Sequence, residues 1–343
     1  MTNRLWVLGA DDPEMSAIEA LLTECGEQIV HATVNGQRVH PGNAYRADLP
    51  IADQAYTHLY YVECAAHEIR MHHYSSIDHH RPGDPGYGMP PAEFLRGSSL
   101  GQVIAELARL DIALDELPGW EPVSCFAGEE SDAHWFSIDP PGFFGSSGRL
   151  RLSGERHTAS WSGARWVRPP QTILFAAAAD HCLGAAYRGE CSGVDVEAFG
   201  EWRLATRAAF QGRSIDEVRA DVKRAVFALR SAPAVALLSI SNMSHTCDHD
   251  WSRSVCDGCN REEIYVQDLR GEEIPELPEA ACRLGVAYLA TSKPGPDGRR
   301  KVVLQCATAE HLAAWPAWAE ANGIVDCYGG DPARGFAGGY LVS

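Results

Sequence analysis

The stretch that decides the fold is Tyr74-Ser-Ser-Ile-Asp78-His79-His80-Arg81-Pro82-Gly83-Asp84, in which a short apolar run ends and an acid and two imidazoles follow at once. Buried parallel strands read as short runs of this kind, and open α/β sheets bind ligands at the carboxyl ends of their strands. The pattern therefore predicts that Asp78, His79 and His80 lie at the rim of a sheet. Taken alone, a His-His pair is more typical of a solvated polar loop.

Three other stretches also bring acids to the end of an apolar element. Residues 5–10 run into Asp11-Asp12-Pro13-Glu14 before a helical pattern, residues 57–62 run into Glu63, and the apolar helix 172–179 ends at Asp180. Oxygen-rich sets with one or two imidazoles suit Mn²⁺ or Mg²⁺, often as a pair of ions that clamps a phosphoryl group. The sequence therefore predicts a metal site for one or two such ions.

This order of motifs resembles the DHH phosphoesterase superfamily, which includes RecJ-type exonucleases, nano-RNases, cyclic dinucleotide phosphodiesterases and family II inorganic pyrophosphatases. Asp78-His79-His80 matches the motif that names the family, and Asp180 fits the helical Asp. Three positions depart from the pattern: Asp12-Pro13-Glu14 replaces Asp-x-Asp, Ala10 stands where a His would help to hold metal, and Glu63 replaces an Asp.

The resemblance implies an α/β protein with two domains, as a length of 343 residues also favours. We expect a parallel-sheet, DHH-like domain over residues 1–193, a helical connector over 194–233 and a smaller DHHA1-like α/β domain over 234–343. Two segments fall outside the resemblance as insertions, at about residues 121–170 and 243–262. The aromatic side chains of the first are either a base-stacking platform or, more commonly, the core of a small subdomain.

The resemblance also implies roles for individual residues. The Mn²⁺ or Mg²⁺ ligands would be Asp12, Glu14, Glu63, His79 and Asp180. His80 would contact the phosphate, and Asp78 would orient an imidazole. The helix of Asp180 is expected to continue through residue 191, so its spacing places Arg188 one or two turns from Asp180, where a guanidinium can hold a phosphate. A structural ion pair is the alternative reading of Arg188.

A glycine-rich segment closes the chain between Asp326 and Tyr340. So many glycines between an acid and an arginine suggest a backbone that approaches an anionic ligand. The segment looks like the Gly-Gly-Gly-His segment of the substrate domain in the same superfamily, with Asp331 at the His position. The residues expected to bind substrate are Gly329, Gly330, Asp331, Arg334, Gly338 and Gly339.

The second insertion contains a Cys-x-His pair followed, six residues later, by Cys-x-x-Cys. Tetrahedral Zn²⁺ with sulfur and nitrogen donors suits four such ligands. We expect a structural zinc site, with a disordered loop as the alternative. The zinc ligands would be Cys247, His249, Cys256 and Cys259.

Charge and composition limit the class of function. With 45% hydrophobic and 22% charged residues, the chain has the composition of a soluble globular protein. A net charge of −17 argues against binding a long nucleic acid duplex. Eleven cysteines, an odd number, favour reduced thiols. The chain shows no export signal and no membrane-spanning run, so we expect a cytoplasmic protein; a homodimer is compatible with the sequence.

Three functions follow. The first is a metal-dependent phosphoesterase acting on a small phosphorylated or nucleotide substrate, including a short single-stranded oligonucleotide. The second is a catalytically silent member of the same fold that binds a nucleotide or a protein partner, which Ala10 and Asp331 favour. The third is a pyrophosphatase-like hydrolase with a non-nucleotide substrate.

Overall fold

A computed structural model describes residues 3–48, 56–66, 74–123, 136–138, 151–152, 165–238, 263–271, 273–294 and 298–341. The chain divides into two compact units, Met1–Arg213 and Ser214–Ser343. Both units mix helices with strands, so the α/β class is confirmed. Among the helices in these ranges, none is both long and apolar enough to cross a membrane.

The first unit contains a four-stranded parallel sheet whose strand order is β2-β1-β5-β6. Its strands are β1 (Arg4–Leu8), β2 (Ile29–His31), β5 (His58–Val62) and β6 (Tyr74–Ile77), and a short antiparallel pair, β3 (Thr33–Val34) and β4 (Gln37–Arg38), follows β2. Alternate side chains of β1 and β5 enter two different hydrophobic clusters, one on each face. Burial on both faces explains why these strands read as nearly continuous apolar runs.

The described residues of the first unit form the α-helices α1 (Pro13–Glu24), α2 (Phe94–Gly97), α3 (Ser99–Arg109), α4 (Gln171–His181), α5 (Leu183–Tyr187) and α6 (Val196–Gln211). Helix α4 packs against α1, α2 and α3. Ser98 caps α3, since its hydroxyl accepts the Gly101 N–H at 3.0 Å. This packing brings the end of α4 to the side of the sheet that carries the DHH motif.

The predicted insertion contributes a small antiparallel sheet in the order β7-β10-β8-β9. Its strands are β7 (Glu121–Val123), β8 (Phe136–Ile138), β9 (Arg151–Leu152) and β10 (Arg165–Arg168). The remainder of residues 124–164 lies outside the described residues.

The second unit is built on a six-stranded sheet in the order β11-β12-β13-β14-β16-β15, in which only the β12–β13 pair is parallel. Its strands are β11 (Ala234–Leu238), β12 (Glu263–Leu269), β13 (Tyr288–Pro294), β14 (Arg300–Gln305), β15 (Ile324–Asp331) and β16 (Phe336–Leu341). Three helices accompany them: α7 (Ile215–Ser231), α8 (Leu277–Leu284) and α9 (Ala309–Ala321). Trp315 and Trp318 of α9 pack on the buried face of this sheet.

The helices around the predicted connector fall into different units. Helix α6 packs against α4 and α5 in the first unit, whereas α7 packs against α8 in the second. Ser214 and Glu217 form a capping box at the start of α7. The boundary between the units therefore falls inside residues 194–233, between α6 and α7.

The helix of Asp180 is shorter than its sequence pattern predicts. A continuous helix from residue 172 to 191 is wrong, because Cys182 has φ −153° and ψ 51° and separates α4 from α5. Asp180 and Arg188 consequently lie on two helical segments, and the regular spacing that related them is interrupted.

Candidate metal centre

The acidic residues lie at the point where the order of strands in the parallel sheet reverses. The chain passes from β1 to one neighbour, β2, and later returns to the other side of β1 with β5. Open α/β sheets bind ligands at the carboxyl ends of the strands at such a point. Asp12 and Glu14 follow β1, Glu63 follows β5, and Asp78–His80 follow β6. The three strand ends are thus adjacent, as the sequence predicted.

Two backbone features bring the ends of β1 and β5 close together. A Cβ atom on Gly9 would lie 2.6 Å from the carbonyl oxygen of Glu63, so only glycine fits there. Glu63 itself has φ 52°, a left-handed conformation that costs energy in a residue other than glycine. Its backbone N–H donates to the Ile77 carbonyl at 2.9 Å, which holds this conformation beside β6. The strained turn leaves the Glu63 carboxylate buried among the other acids.

Four side chains form a cluster suited to a metal ion: Glu63, His79, His80 and Asp180 each offer one ligand atom, and these atoms all lie within 4.8 Å of one another. The Nε2 atom of His79 lies 2.7 Å from Asp180 Oδ2 and 3.7 Å from Glu63 Oε1. His79 is fully buried, whereas Asp180 is 23% exposed. The structure thus brings together four of the sequence-predicted site residues.

Hydrogen bonding determines which nitrogen of His79 faces the carboxylates. His181 Nε2 lies 3.0 Å from the Met89 carbonyl oxygen, which can only accept, so this nitrogen carries a proton. The Nδ1 atoms of His181 and His79 lie 3.4 Å apart, so one of the two rings donates to the other there. On its other side, His79 Nε2 lies 2.7 Å from Asp180 Oδ2. A carboxylate oxygen only accepts, so this contact needs a cation between the two atoms, either a proton on His79 Nε2 or a metal ion.

Asp78 holds the DHH loop in place. Its Oδ1 accepts from the backbone N–H of His79 at 2.7 Å and of His80 at 3.0 Å, and lies 2.8 Å from His80 Nδ1. Its Oδ2 accepts the Tyr45 hydroxyl at 2.9 Å. Burial opposes ionisation, but the hydrogen bonds from His80 and Tyr45 outweigh it and lower the pKa of Asp78 to about 2. His80 Nε2 remains as the nitrogen that can bind a metal or a phosphate oxygen.

The carboxylates of Glu14 and Asp12 each accept a backbone N–H in the first turn of a helix. Glu14 is buried, and its Oε1 accepts the Leu100 N–H at 3.0 Å in the first turn of α3. Asp12 caps α1 by accepting the Met15 N–H at 2.7 Å. Neither belongs to the four-residue cluster, although burial and then the negative charges of Asp12, Asp180 and Glu14 raise the pKa of Glu63. Both predicted ligands therefore lie near the cluster and contribute to its negative potential.

Four residues that support the site were not identified in the sequence. His181 directly follows Asp180, so an imidazole next to the helical acid was a visible signal. Tyr45 is 33 positions from Asp78, and no spacing connects them. Gly86 and Gly97 leave room for the imidazoles, since a Cβ on Gly86 would lie 2.7 Å from the His79 Cβ and one on Gly97 would lie 2.6 Å from His181 Cε1.

Arg188 forms a structural ion pair, which was the alternative to its predicted role in phosphate binding. Its Nε donates to Glu190 Oε1 at 2.5 Å and its Nη2 donates to Glu190 Oε2 at 3.0 Å. Both side chains are about half exposed, at 50% and 46%. The guanidinium fork is therefore occupied by a neighbouring carboxylate.

The C-terminal glycine segment forms the hairpin of β15 and β16, and close packing explains Gly329, Gly338 and Gly339, whereas the positive φ explains Gly330. A Cβ on Gly338 would lie 2.6 Å from the Tyr328 ring, and one on Gly339 would lie 2.4 Å from Ile324 Cγ2. Gly329, with φ 82°, is close to the Phe336 carbonyl, and its neighbour Gly330 has φ 100°.

Asp331 makes local hydrogen bonds in the hairpin turn. Asp331 is buried and accepts the Ala333 N–H at 2.8 Å, and the Gly335 N–H donates to the Asp331 carbonyl at 3.0 Å. Arg334 lies in the same turn and is partly buried. Anion binding by this segment stays a prediction. The predicted zinc ligands Cys247, His249, Cys256 and Cys259 lie outside the described residues.

Comparisons with family models, with curated proteins and with solved structures find no match to the chain.

Proposed function

We propose that the chain is a metal-dependent phosphoesterase with the two-domain DHH arrangement, acting on a small phosphorylated or nucleotide substrate. The observation that carries the proposal is the distance of 2.7 Å between His79 Nε2 and Asp180 Oδ2 inside a cluster of four potential ligands. Mixed oxygen and imidazole donors of this kind suit Mn²⁺ and Mg²⁺.

The donor set fits a divalent ion. Glu63 Oε1 is buried without a hydrogen-bond partner among the described residues, and it lies 3.7 Å from His79 Nε2. A buried carboxylate oxygen in that situation is costly unless a cation compensates it. Glu63, His79 and Asp180 would hold the ion, with Asp12 and Glu14 adding negative charge beside them.

A bound divalent ion would supply Lewis-acid activation of a phosphate ester and of water. The side chains around the site orient its imidazoles and exclude water. Asp78 accepts from His80 Nδ1 and thereby fixes the imidazole with Nε2 available to a phosphate oxygen. His181 orients the ring of His79, because the Nδ1 atoms of the two rings lie within hydrogen-bond distance at 3.4 Å. The complete burial of His79 keeps bulk water from that side of the site.

The test is hydrolysis of a panel of cyclic dinucleotides, short oligonucleotides and pyrophosphate with Mn²⁺ or Mg²⁺. We expect turnover of at least one nucleotide substrate, with Mn²⁺ more effective because the imidazole donor favours the softer ion. Asp180→Asn and His79→Ala should each remove nearly all activity. His31→Ala is the control, since it removes an exposed imidazole paired with Glu19 at 2.9 Å. Turnover that survives His79→Ala contradicts the assignment.

A catalytically silent, nucleotide-binding protein is the second candidate. Its support is that Glu14, one of the expected ligands, is engaged at the N-terminus of α3, and that Ala10 supplies no nitrogen donor. Tight nucleotide binding without turnover in the same panel would favour it. Turnover of pyrophosphate alone would favour a pyrophosphatase-like hydrolase.

A further inference from the structure

Arg81 directly follows the DHH motif and lies flat against an aromatic ring. Its guanidinium carbon is 3.5 Å from the centroid of the Tyr45 ring. A guanidinium over an aromatic face is stabilised by the ring electrons, and stacking leaves its N–H groups directed outward in the plane of the fork. The Arg81 side chain is 49% exposed, so solvent and ligands can reach it.

The same tyrosine also fixes the imidazole of His80. The Tyr45 hydroxyl donates to Asp78 Oδ2 at 2.9 Å, and the other carboxylate oxygen of Asp78 lies 2.8 Å from His80 Nδ1. Tyr45 thus orients two successive residues, one through its ring and one through its hydroxyl. His80 is 30% exposed, whereas Asp78, which connects it to Tyr45, is only 1% exposed.

In the part of the chain that the structure describes, no carboxylate pairs with both arms of the Arg81 guanidinium. Within the described residues, its carboxylate neighbour is Asp84, with a separation of 3.9 Å between Arg81 Nε and Asp84 Oδ2. That same oxygen accepts the Arg81 backbone N–H at 2.7 Å. By contrast, Arg270 donates to both oxygens of Asp268, at 2.9 and 2.7 Å. Arg81 therefore retains donors for a ligand.

The positive charge of Arg81 lies beside a site whose own side chains are mostly acidic. The carboxylates of Glu63, Asp78 and Asp180 lie close together and would repel a phosphate anion. An accessible guanidinium next to His80 offsets that repulsion and can bind two phosphate oxygens at once.

We propose that Arg81 binds the anionic phosphate group of the substrate and that Tyr45 is a positioning residue for both Arg81 and His80. The inference rests on the proposed function, because it takes the substrate to be a phosphate ester. It narrows the substrate class to esters that keep two oxygens of the phosphate accessible to a guanidinium. Cyclic dinucleotides and short oligonucleotides meet this requirement.

The first experiment compares Arg81→Met and Arg81→Lys with Arg96→Met in steady-state kinetics. Methionine keeps an apolar chain on the tyrosine ring, and lysine keeps the charge without the fork. We expect Arg81→Met to raise KM roughly tenfold to a hundredfold, the size of a lost charge-assisted hydrogen bond, with a smaller change in kcat. Arg96 is the control, since it is 61% exposed and pairs with Glu93 at 3.1 Å. An unchanged KM in Arg81→Met overturns the assignment.

The role of Tyr45 is tested with Tyr45→Phe, which keeps the ring and removes the hydroxyl. We expect the ¹⁵N chemical shifts of the His80 ring to change and kcat to fall, while KM stays near the unmutated value because Arg81 can still stack. A ring that merely fills space would leave the ¹⁵N shifts and kcat unchanged, and that result would overturn the positioning role.

A binding measurement separates this inference from the proposed function. Inorganic phosphate is titrated calorimetrically into the full chain in the presence of Mn²⁺. If the unmutated protein turns over no substrate but binds phosphate, and Arg81→Met alone loses that binding, the phosphoesterase proposal fails and the Arg81 site stands. If phosphate binds Arg81→Met as tightly as the unmutated protein, or binds neither, the Arg81 site is wrong whatever the activity.

Discussion

Two buried glutamates make the first unit sensitive to pH. Burial, followed by the charge of Asp180, raises the pKa of Glu14 well above its ordinary value of 4.5. Burial and then the charge of Asp12 raise the pKa of Glu63 in the same direction. Each group binds its proton more tightly in the folded state than in the unfolded state. The metal-free protein therefore loses stability as the pH rises above about 4.5 toward the raised values.

We predict that Mn²⁺ reduces this loss of stability, because it compensates the buried negative charge when both glutamates are ionised. The free energy of unfolding, measured with denaturant from pH 4.5 to pH 8, should decrease with pH in the metal-free protein and decrease less with Mn²⁺. Glu63→Gln should reduce both the slope and the effect of Mn²⁺. A metal-free protein whose stability rises across this range would contradict the prediction.

The sequence located the residues of the site better than the contacts that hold them. Asp78, His79, His80 and Asp180 were predictable because each follows an apolar strand or helix, and strand ends meet at one edge of a parallel sheet. The Tyr45 hydroxyl reaches Asp78 across 33 positions, and a tertiary contact of this kind leaves no periodic signal. The carboxylate of Glu14 was visible in the sequence, but its bond to Leu100 at the start of α3 was not.

At the scale of elements, the close packing of α2, α3 and α4 supports the histidines. Gly97 ends α2, and a Cβ there would lie 2.6 Å from His181 Cε1 and 2.7 Å from its Nε2. The His181 ring must shift to accept even one methyl group. Because the Nδ1 atoms of His181 and His79 lie within hydrogen-bond distance, the shift would release the His79 ring.

Gly97→Ala should therefore weaken Mn²⁺ binding by roughly tenfold to a hundredfold, the usual effect of losing a residue that orients a metal ligand. Ser99→Ala is a matched control, because it changes the neighbouring first residue of α3, and its buried Oγ has no hydrogen-bond partner among the described residues. Mn²⁺ affinity is measured by electron paramagnetic resonance, with circular dichroism to confirm folding. Equal Mn²⁺ affinity in both variants would show that His181 does not orient His79.

Two elements show why sequence patterns mislead. The alanine-rich pattern of α4 continues past Asp180, but the backbone turns at Cys182, so the predicted face that included Arg188 does not form. In β16, Gly338 and Gly339 leave space for Tyr328 and Ile324. A sequence cannot distinguish a glycine that accommodates a ligand from one that accommodates a neighbouring side chain, since both positions exclude Cβ.

At the scale of the whole molecule, the two predicted metal sites belong to different units. Every expected Mn²⁺ or Mg²⁺ ligand lies within Met1–Arg213, and every expected zinc ligand lies within Ser214–Ser343. The two donor sets also differ chemically: carboxylates with imidazole suit Mn²⁺, whereas thiolates suit Zn²⁺. The units should therefore lose their metals independently.

We predict that protein purified without chelator contains about one zinc ion per chain, as four Cys and His ligands imply. Cys256→Ser combined with Cys259→Ser should remove the zinc and leave Mn²⁺ affinity unchanged, because the Mn²⁺ ligands are in the other unit. Cys327→Ser is the control, since it removes an exposed free thiol of the second unit outside the motif. Zinc is measured by elemental analysis and Mn²⁺ by electron paramagnetic resonance. Zinc-free unmutated protein would refute the zinc site, and a parallel loss of Mn²⁺ would show that the two units are coupled.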